Sequence, residues 1–132
     1  MNLAEVLQEQ PSLKNLTAAA RHGVPRKFVD ELAQTLDISL RDLAPLLHAS
    51  ERNLRRYQPE QLLPADVSDR ALNIARVFER ALDVLDTPER AVQWLKQPNQ
   101  ALGEAPLALL ATTFGAEQVL AILGRIEHGV FS

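Results

Sequence analysis

The sequence holds no cysteine, and only one methionine, one tryptophan and one tyrosine. Without thiols, a disulfide framework, a thiolate zinc site and a cysteine nucleophile are all excluded, and the composition suits a reducing compartment. Strand signals are scarce as well: no run alternates β-branched with polar residues, and neither Asn-Gly nor Asp-Gly offers a hairpin turn. Long apolar runs are also lacking. The longest uncharged stretch, Ala105 to Ala116, is too short to span a bilayer, and Met1 is followed by Glu5 rather than a basic segment. Gly-rich phosphate loops, nucleophile elbows and metal motifs do not occur. His22, His48 and His128 lie far apart with no carboxylate cluster beside them. The expectation is a cytoplasmic all-α protein with no catalytic residue, no metal site, no cofactor and no membrane association.

What remains is ample for a folded core. A chain of 132 residues with 46% apolar and 23% charged positions lies within the soluble globular range. Scaling predicts roughly 6,900 Å² of folded surface against about 21,000 Å² unfolded, so about two-thirds is buried on folding. The net charge of -3 is uneven: residues 1–65 carry eight acids and eight bases, residues 66–132 nine acids and six bases. Within the neutral half, Glu51, Arg52, Arg55 and Arg56 concentrate a local charge of +2 in six residues. This balance argues against a chain that coats nucleic acid everywhere, and leaves room for one focused basic helix.

Helical punctuation runs through the whole chain. Leu3, Val6 and Leu7 form an amphipathic turn closed by Pro11. Ser12 is placed to cap a second helix carrying Leu13, Leu16 and Ala20 on one face, with Gly23 at its end. Pro25 suits the first turn of a third helix, whose Phe28, Val29, Leu32, Ala33 and Leu36 recur at helical spacing up to Asp37. Ser39 and Ser50 each sit at an N-cap position of a short helix. Tyr57 to Asp66, with Pro59 and Pro64, reads as the linker between residues 1–63 and 64–132. Val67, Ala71, Ile74, Ala75, Phe78, Ala81, Leu82 and Leu85 then form an apolar stripe five turns long. Thr87-Pro88-Glu89 starts the next helix, Pro106 a shorter one, and Gly115 the last, which Gly129 stops. Glu79 and Asp83 beside Arg76 and Arg80 read as a solvated ion-pair ladder, and Trp94 most simply as a core anchor rather than an exposed partner-binding aromatic.

Residues 39–57 fit a helix-turn-helix template. Ala44 is small enough for close helix approach, and His48 occupies the turn position usually given to glycine, which histidine tolerates better than most residues. Ser50 would cap the second helix and Leu54 bury its inner face. Ser50, Arg52, Asn53, Arg55, Arg56 and Tyr57 are then the candidate DNA-contacting residues, since arginine pairs bidentately with guanine and asparagine with adenine. The competing reading is a plain helical hairpin with a basic surface. Pro45 lies inside the first helix, where it should force a kink or a later start. At the other end, Ile126, Val130 and Phe131 keep the chain apolar to its penultimate residue, although chain ends usually favour polar residues. Such a tail either folds back on its own core or docks into another protein.

Taken in order, these segments resemble the Xre/ParS/MbcA antitoxin family, the partners of RES-domain toxins in bacterial type II toxin-antitoxin systems. The resemblance rests on Arg52-Asn53-Leu54-Arg55-Arg56, Ser68-Asp69-Arg70, Ala91 with Trp94-Leu95, Pro98-Asn99, Leu102-Gly103, Pro106-Leu107, Gly115, and the ending Gly124 to Phe131. It covers about residues 36–132. Many relatives carry a Gly-Gly pair or a threonine before the proline, where this chain has Gly103-Glu104-Ala105-Pro106. The resemblance implies an Xre-like helix-turn-helix half that recognises operator DNA, followed by a small helical toxin-binding domain. Arg125, Glu127, His128, Gly129, Val130, Phe131 and Ser132 would then approach the NAD-degrading active site of the toxin. A homodimer reading two half-sites is expected, because one pair of short helices buries too little area alone. The rival readings are a one-component helix-turn-helix regulator and a helical adaptor that does not bind DNA.

Overall fold

The computed structural model describes residues 2–9 and 12–129; Pro11 and the Val130-Phe131-Ser132 tail lie outside the described residues. Of the described residues 73% are helical, and no strand occurs among them. The helices are α1 Leu3–Glu9, α2 Leu13–His22, α3 Arg26–Leu36, α4 Leu40–Leu43, α5 Glu51–Arg55, α6 Ala65–Leu85, α7 Pro88–Lys96 and α8 Thr113–Glu127, with 3-10 turns at Ala44–Leu47 and Pro106–Ala111. The chain divides into two compact units, residues 1–76 and 77–132. This division lies beyond the proline-bearing linker read from the sequence, because the first half of α6 is bonded into the N-terminal unit.

Most helix starts are set by hydroxyl side chains. Ser12, Ser39 and Ser50 each accept a hydrogen bond from the backbone N–H three residues on, at 3.1–3.2 Å. Thr87 and Thr112 do the same for α7 and α8, at 3.2 and 2.9 Å. Each cap satisfies a donor that the helix itself cannot pair. In the N-terminal unit, Phe28, Val29, Leu32 and Leu36 of α3 are fully buried beside Leu43, Leu47 and Leu54. The α6 stripe is buried from Val67 to Ala81, while Leu82 and Leu85 at its end are half-buried. Leu13 departs from the expected apolar face of α2 and is 68% exposed.

The segment that follows α5 is stitched back onto the start of α3. Leu63 donates to the Val24 carbonyl at 2.8 Å, Arg26 to that of Gln61 and Lys27 to that of Pro59, both at 3.0 Å, and Pro25 bridges Leu62. Ser68, fully buried, completes the seam: its hydroxyl accepts from the Val24 N–H at 2.9 Å and donates to the Leu63 carbonyl at 3.2 Å. Gly23 adopts φ 98°, and a Cβ there would stand 2.6 Å from the Leu63 carbonyl oxygen, so the seam excludes a side chain at that point.

In the C-terminal unit, α8 packs on the Pro106–Ala111 turn, which also meets α7. Gly115 lies within the first turn of α8, two residues past its start, and is buried. A Cβ at Gly115 would collide with the backbone carbonyl of Leu109, so the glycine permits the close approach of helix and turn.

Replacing Ser68 with alanine leaves a buried N–H and a buried carbonyl short of a partner, which should cost about 1–3 kcal/mol. Gly115→Ala should destabilise by at least 1 kcal/mol through backbone displacement, on the order of other overpacking substitutions. Chemical denaturation checks both: a lowered midpoint is expected, and an unchanged midpoint would contradict these contacts.

Candidate functional site

The basic helix α5 is built from its cap inward. Ser50 adopts an extended backbone conformation, and its hydroxyl holds the Asn53 N–H, while Leu54 is buried beneath the helix. Before it, Pro45 lacks the N–H that would reach the Arg41 carbonyl, and its ring would crowd that carbonyl in an α-helix. The chain responds by ending α4 at Leu43 and tightening into the 3-10 turn Ala44–Leu47. His48 then takes the left-handed conformation, φ 55° and ψ 37°, as the turn position of the motif requires. Its N–H bonds back to the Pro45 carbonyl, and that of Ala49 to the Ala44 carbonyl, both at 3.1 Å. This double closure is a helix C-terminal motif built on a non-glycine residue.

The outer face of α5 is exposed at Arg52, Asn53, Arg55 and Arg56, with Tyr57 half-buried. The arginines are not equivalent. Arg55 donates twice to the Glu51 carboxylate, at 2.8 and 3.0 Å, in an i,i+4 ion pair. Arg52 and Arg56 make no ion pair among the described residues. The C-terminal end of the helix is tethered: the Arg26 guanidinium, which also pairs with Asp30 at 2.8 Å, donates to the Tyr57 carbonyl at 3.2 Å.

At the far end of the C-terminal unit, Arg125 and His128 are exposed, and Gly129 turns the backbone with φ 68°. Glu127 is engaged within its own chain. Both of its oxygens accept from the Arg80 guanidinium, at 2.5 and 2.8 Å. Hydrogen bonding to Arg80 holds the Glu127 carboxyl below its ordinary value, while Glu127, with smaller attraction from Asp83 and Glu79, raises Arg80. Within α6, Asp83 and Glu79 attract Arg80 as the ladder reading expects, but the bidentate partner of Arg80 lies on α8, and Arg76 donates to the Asn73 amide oxygen at 3.0 Å.

Trp94 also departs from expectation. Ala91 and Leu95 occupy the buried face of α7, leaving Trp94 at its margin, half-buried. It lines a surface hollow with Pro98, Asn99, Ala101 and Ile126. The loop beneath is organised by Asn99, whose side-chain oxygen accepts from the N–H groups of Ala101 and Leu102. Phe114 is 85% exposed, an exposed aromatic that helical periodicity did not single out. No group of histidine, cysteine or carboxylate residues able to hold a metal ion occurs among the described residues, and no described helix is long and apolar enough to cross a membrane.

Residues 16–76 match the family model of the antitoxin Xre-like helix-turn-helix domain, and residues 80–129 that of the antitoxin Xre/MbcA/ParS C-terminal toxin-binding domain. The chain belongs to the Xre/MbcA/ParS antitoxin family. It is an antitoxin of a toxin-antitoxin system, combining a DNA-binding domain with a toxin-binding one. Neither is an enzymatic family. No curated protein gives a significant match. The two matched segments meet within α6 of the antitoxin, close to the division between its two compact units.

Because the antitoxin has a single tryptophan, its emission reports on the hollow beside α7. Ile126→Ala should shift Trp94 emission to longer wavelength and raise its quenching by acrylamide, with helical circular dichroism retained. Identical quenching in the two proteins would place the indole away from Ile126.

Proposed function

We propose that this antitoxin neutralises a RES-domain, NAD-degrading toxin by occluding its active site, and represses its own operon through α5. The observation that carries the reading is the occurrence of an Xre-like DNA-binding domain and an Xre/MbcA/ParS toxin-binding domain in one chain. An inhibitor that blocks a cleft needs no chemistry of its own, in keeping with the absence of any catalytic motif in the sequence.

On the DNA side, the reading is supported by exposed guanidinium groups on a capped helix. Arg52 and Asn53 stand in the first turn of α5, the part of a recognition helix that reaches base edges in the major groove. Arg56 and Tyr57 follow at its end, Arg56 exposed and Tyr57 half-buried, as phosphate contacts. Arg55, held by Glu51, contributes less, and Ser50 acts by fixing the helix start. The repressor works as a homodimer reading half-sites one helical turn apart, about 34–36 Å. On the toxin side, Arg125, His128, Gly129, Val130, Phe131 and Ser132 form the inserting end, the last three lying outside the described residues.

Operator binding measured against salt tests the first half. Arg52→Ala should lose about 1–3 kcal/mol and relax base preference at one position, whereas Arg56→Ala should weaken all sequences evenly and lower the salt slope by about one. Arg55→Ala should do less than either. Equal behaviour of all three with the wild type would remove α5 from the interface.

Deletion of residues 126–132 tests the second half. The truncated antitoxin should still bind its operator but fail to restore growth of cells expressing the RES-domain protein of the same operon. Full neutralisation by the truncated chain would refute tail insertion.

A further inference from the structure

The last turn of α8 presents a physical difficulty. A helix C-terminus carries partial negative charge from unpaired carbonyls, so a carboxylate there is unfavourable and the end tends to fray. Glu127 is the final residue of α8. Its charge is matched by Arg80 of α6, 47 residues earlier in the chain, through two nearly parallel hydrogen bonds of 2.5 and 2.8 Å. A fork-to-fork pair of this kind fixes orientation as well as distance.

We propose that Arg80 and Glu127 are a positioning pair: together they lock the last turn of α8 and thereby fix how the chain leaves that helix at His128 and Gly129 on the toxin-facing end. The inference rests on the toxin-insertion reading above, and it moves Glu127 from toxin contact to intramolecular anchor. The geometry favours such a role over a general stabilising one. Arg80 and Glu127 side chains are 33% and 40% exposed, and exposed ion pairs add little to global stability. What a bidentate pair supplies here is a fixed point. Beyond the anchor, His128 donates its backbone N–H to Gly124 and Gly129 turns the chain with φ 68°, so the exit geometry is defined up to the residue preceding the tail. Holding that exit before binding reduces the ordering that association must impose.

The test uses the full antitoxin and three variants: Arg80→Ala, Glu127→Gln, and the charge-exchanged double variant Arg80→Glu with Glu127→Arg. In the free protein, amide hydrogen exchange at Leu123–Gly129 should quicken about tenfold in each single variant and recover in the double one, with α3 unchanged. Melting temperatures should move by no more than a few degrees. Affinity for a catalytically inactive RES-domain protein from the same operon should fall about tenfold in both single variants, mainly through faster dissociation, and return in the double variant. Recovery of exchange without recovery of affinity would mean that one of the two side chains touches the toxin, and overturns the proposal. So does unaltered exchange in the single variants, or quickened exchange with full affinity. A wild-type antitoxin that binds no RES-domain protein refutes the toxin reading and the presentation role with it, while the exchange data still decide whether the pair anchors α8.

Discussion

The N-terminal unit turns on one buried hydroxyl. Ser68 is the single polar or charged residue among the described residues that is fully withdrawn from solvent, and it relays a hydrogen bond from the turn before α3 to the strap that follows α5. Its two partners are backbone groups that no helix satisfies, since both lie between helices. Without the relay, each would be stranded away from water, which is costlier than never forming the bond. The relay brings the start of α6, the turn at Gly23 and the strap at Leu63 into one register. That register carries outward to α5, because the strap begins at Tyr57, whose carbonyl is held by Arg26. The presentation of the basic helix is thus determined from beneath, by groups that never reach the surface.

Local chemistry was legible in the sequence where one residue decides one conformation. Hydroxyls at Ser12, Ser39, Ser50 and Thr87 mark helix starts because each can accept the bond that the helix lacks, whereas the Thr112 cap of α8 emerged only from the structure. His48 could be assigned to the left-handed turn, and Pro45 to a break, from backbone sterics alone. The apolar stripe of α6 was visible because burial on one helical face imposes a period. Family membership was readable from the order of short motifs, none of them decisive singly.

The pairings across the fold were not legible. Val24 and Ser68 are 44 residues apart, Arg80 and Glu127 are 47 apart, and nothing in spacing alone selects those partners over nearer ones. Arg80 illustrates the difficulty: Glu79 and Asp83 of its own helix attract it as spacing suggests, yet its bidentate partner, Glu127, comes from another helix. Trp94 was misjudged for a related reason. Size and apolarity indicate that an indole prefers burial, but a one-position offset from the Ala91–Leu95 face decides how much of it is covered. Gly115 was identified as a helix start, while the reason for a glycine, a backbone carbonyl pressed against the helix, belongs to the tertiary contact.

The choice of caps has a consequence for acid tolerance. Serine and threonine hydroxyls do not change protonation state, so the helix boundaries they define keep their acceptors at any pH the chain meets. Aspartate in the same places would surrender its role on acidification. Sensitivity to protons is therefore displaced from the helix starts to the ion pairs. Glu127 keeps its charge to lower pH than an ordinary carboxylate, and the bond to Arg80 disappears as pH falls through that depressed value. Mild acidity should thus leave the helices bounded as before, and reach the end of α8 only once Glu127 itself takes up a proton.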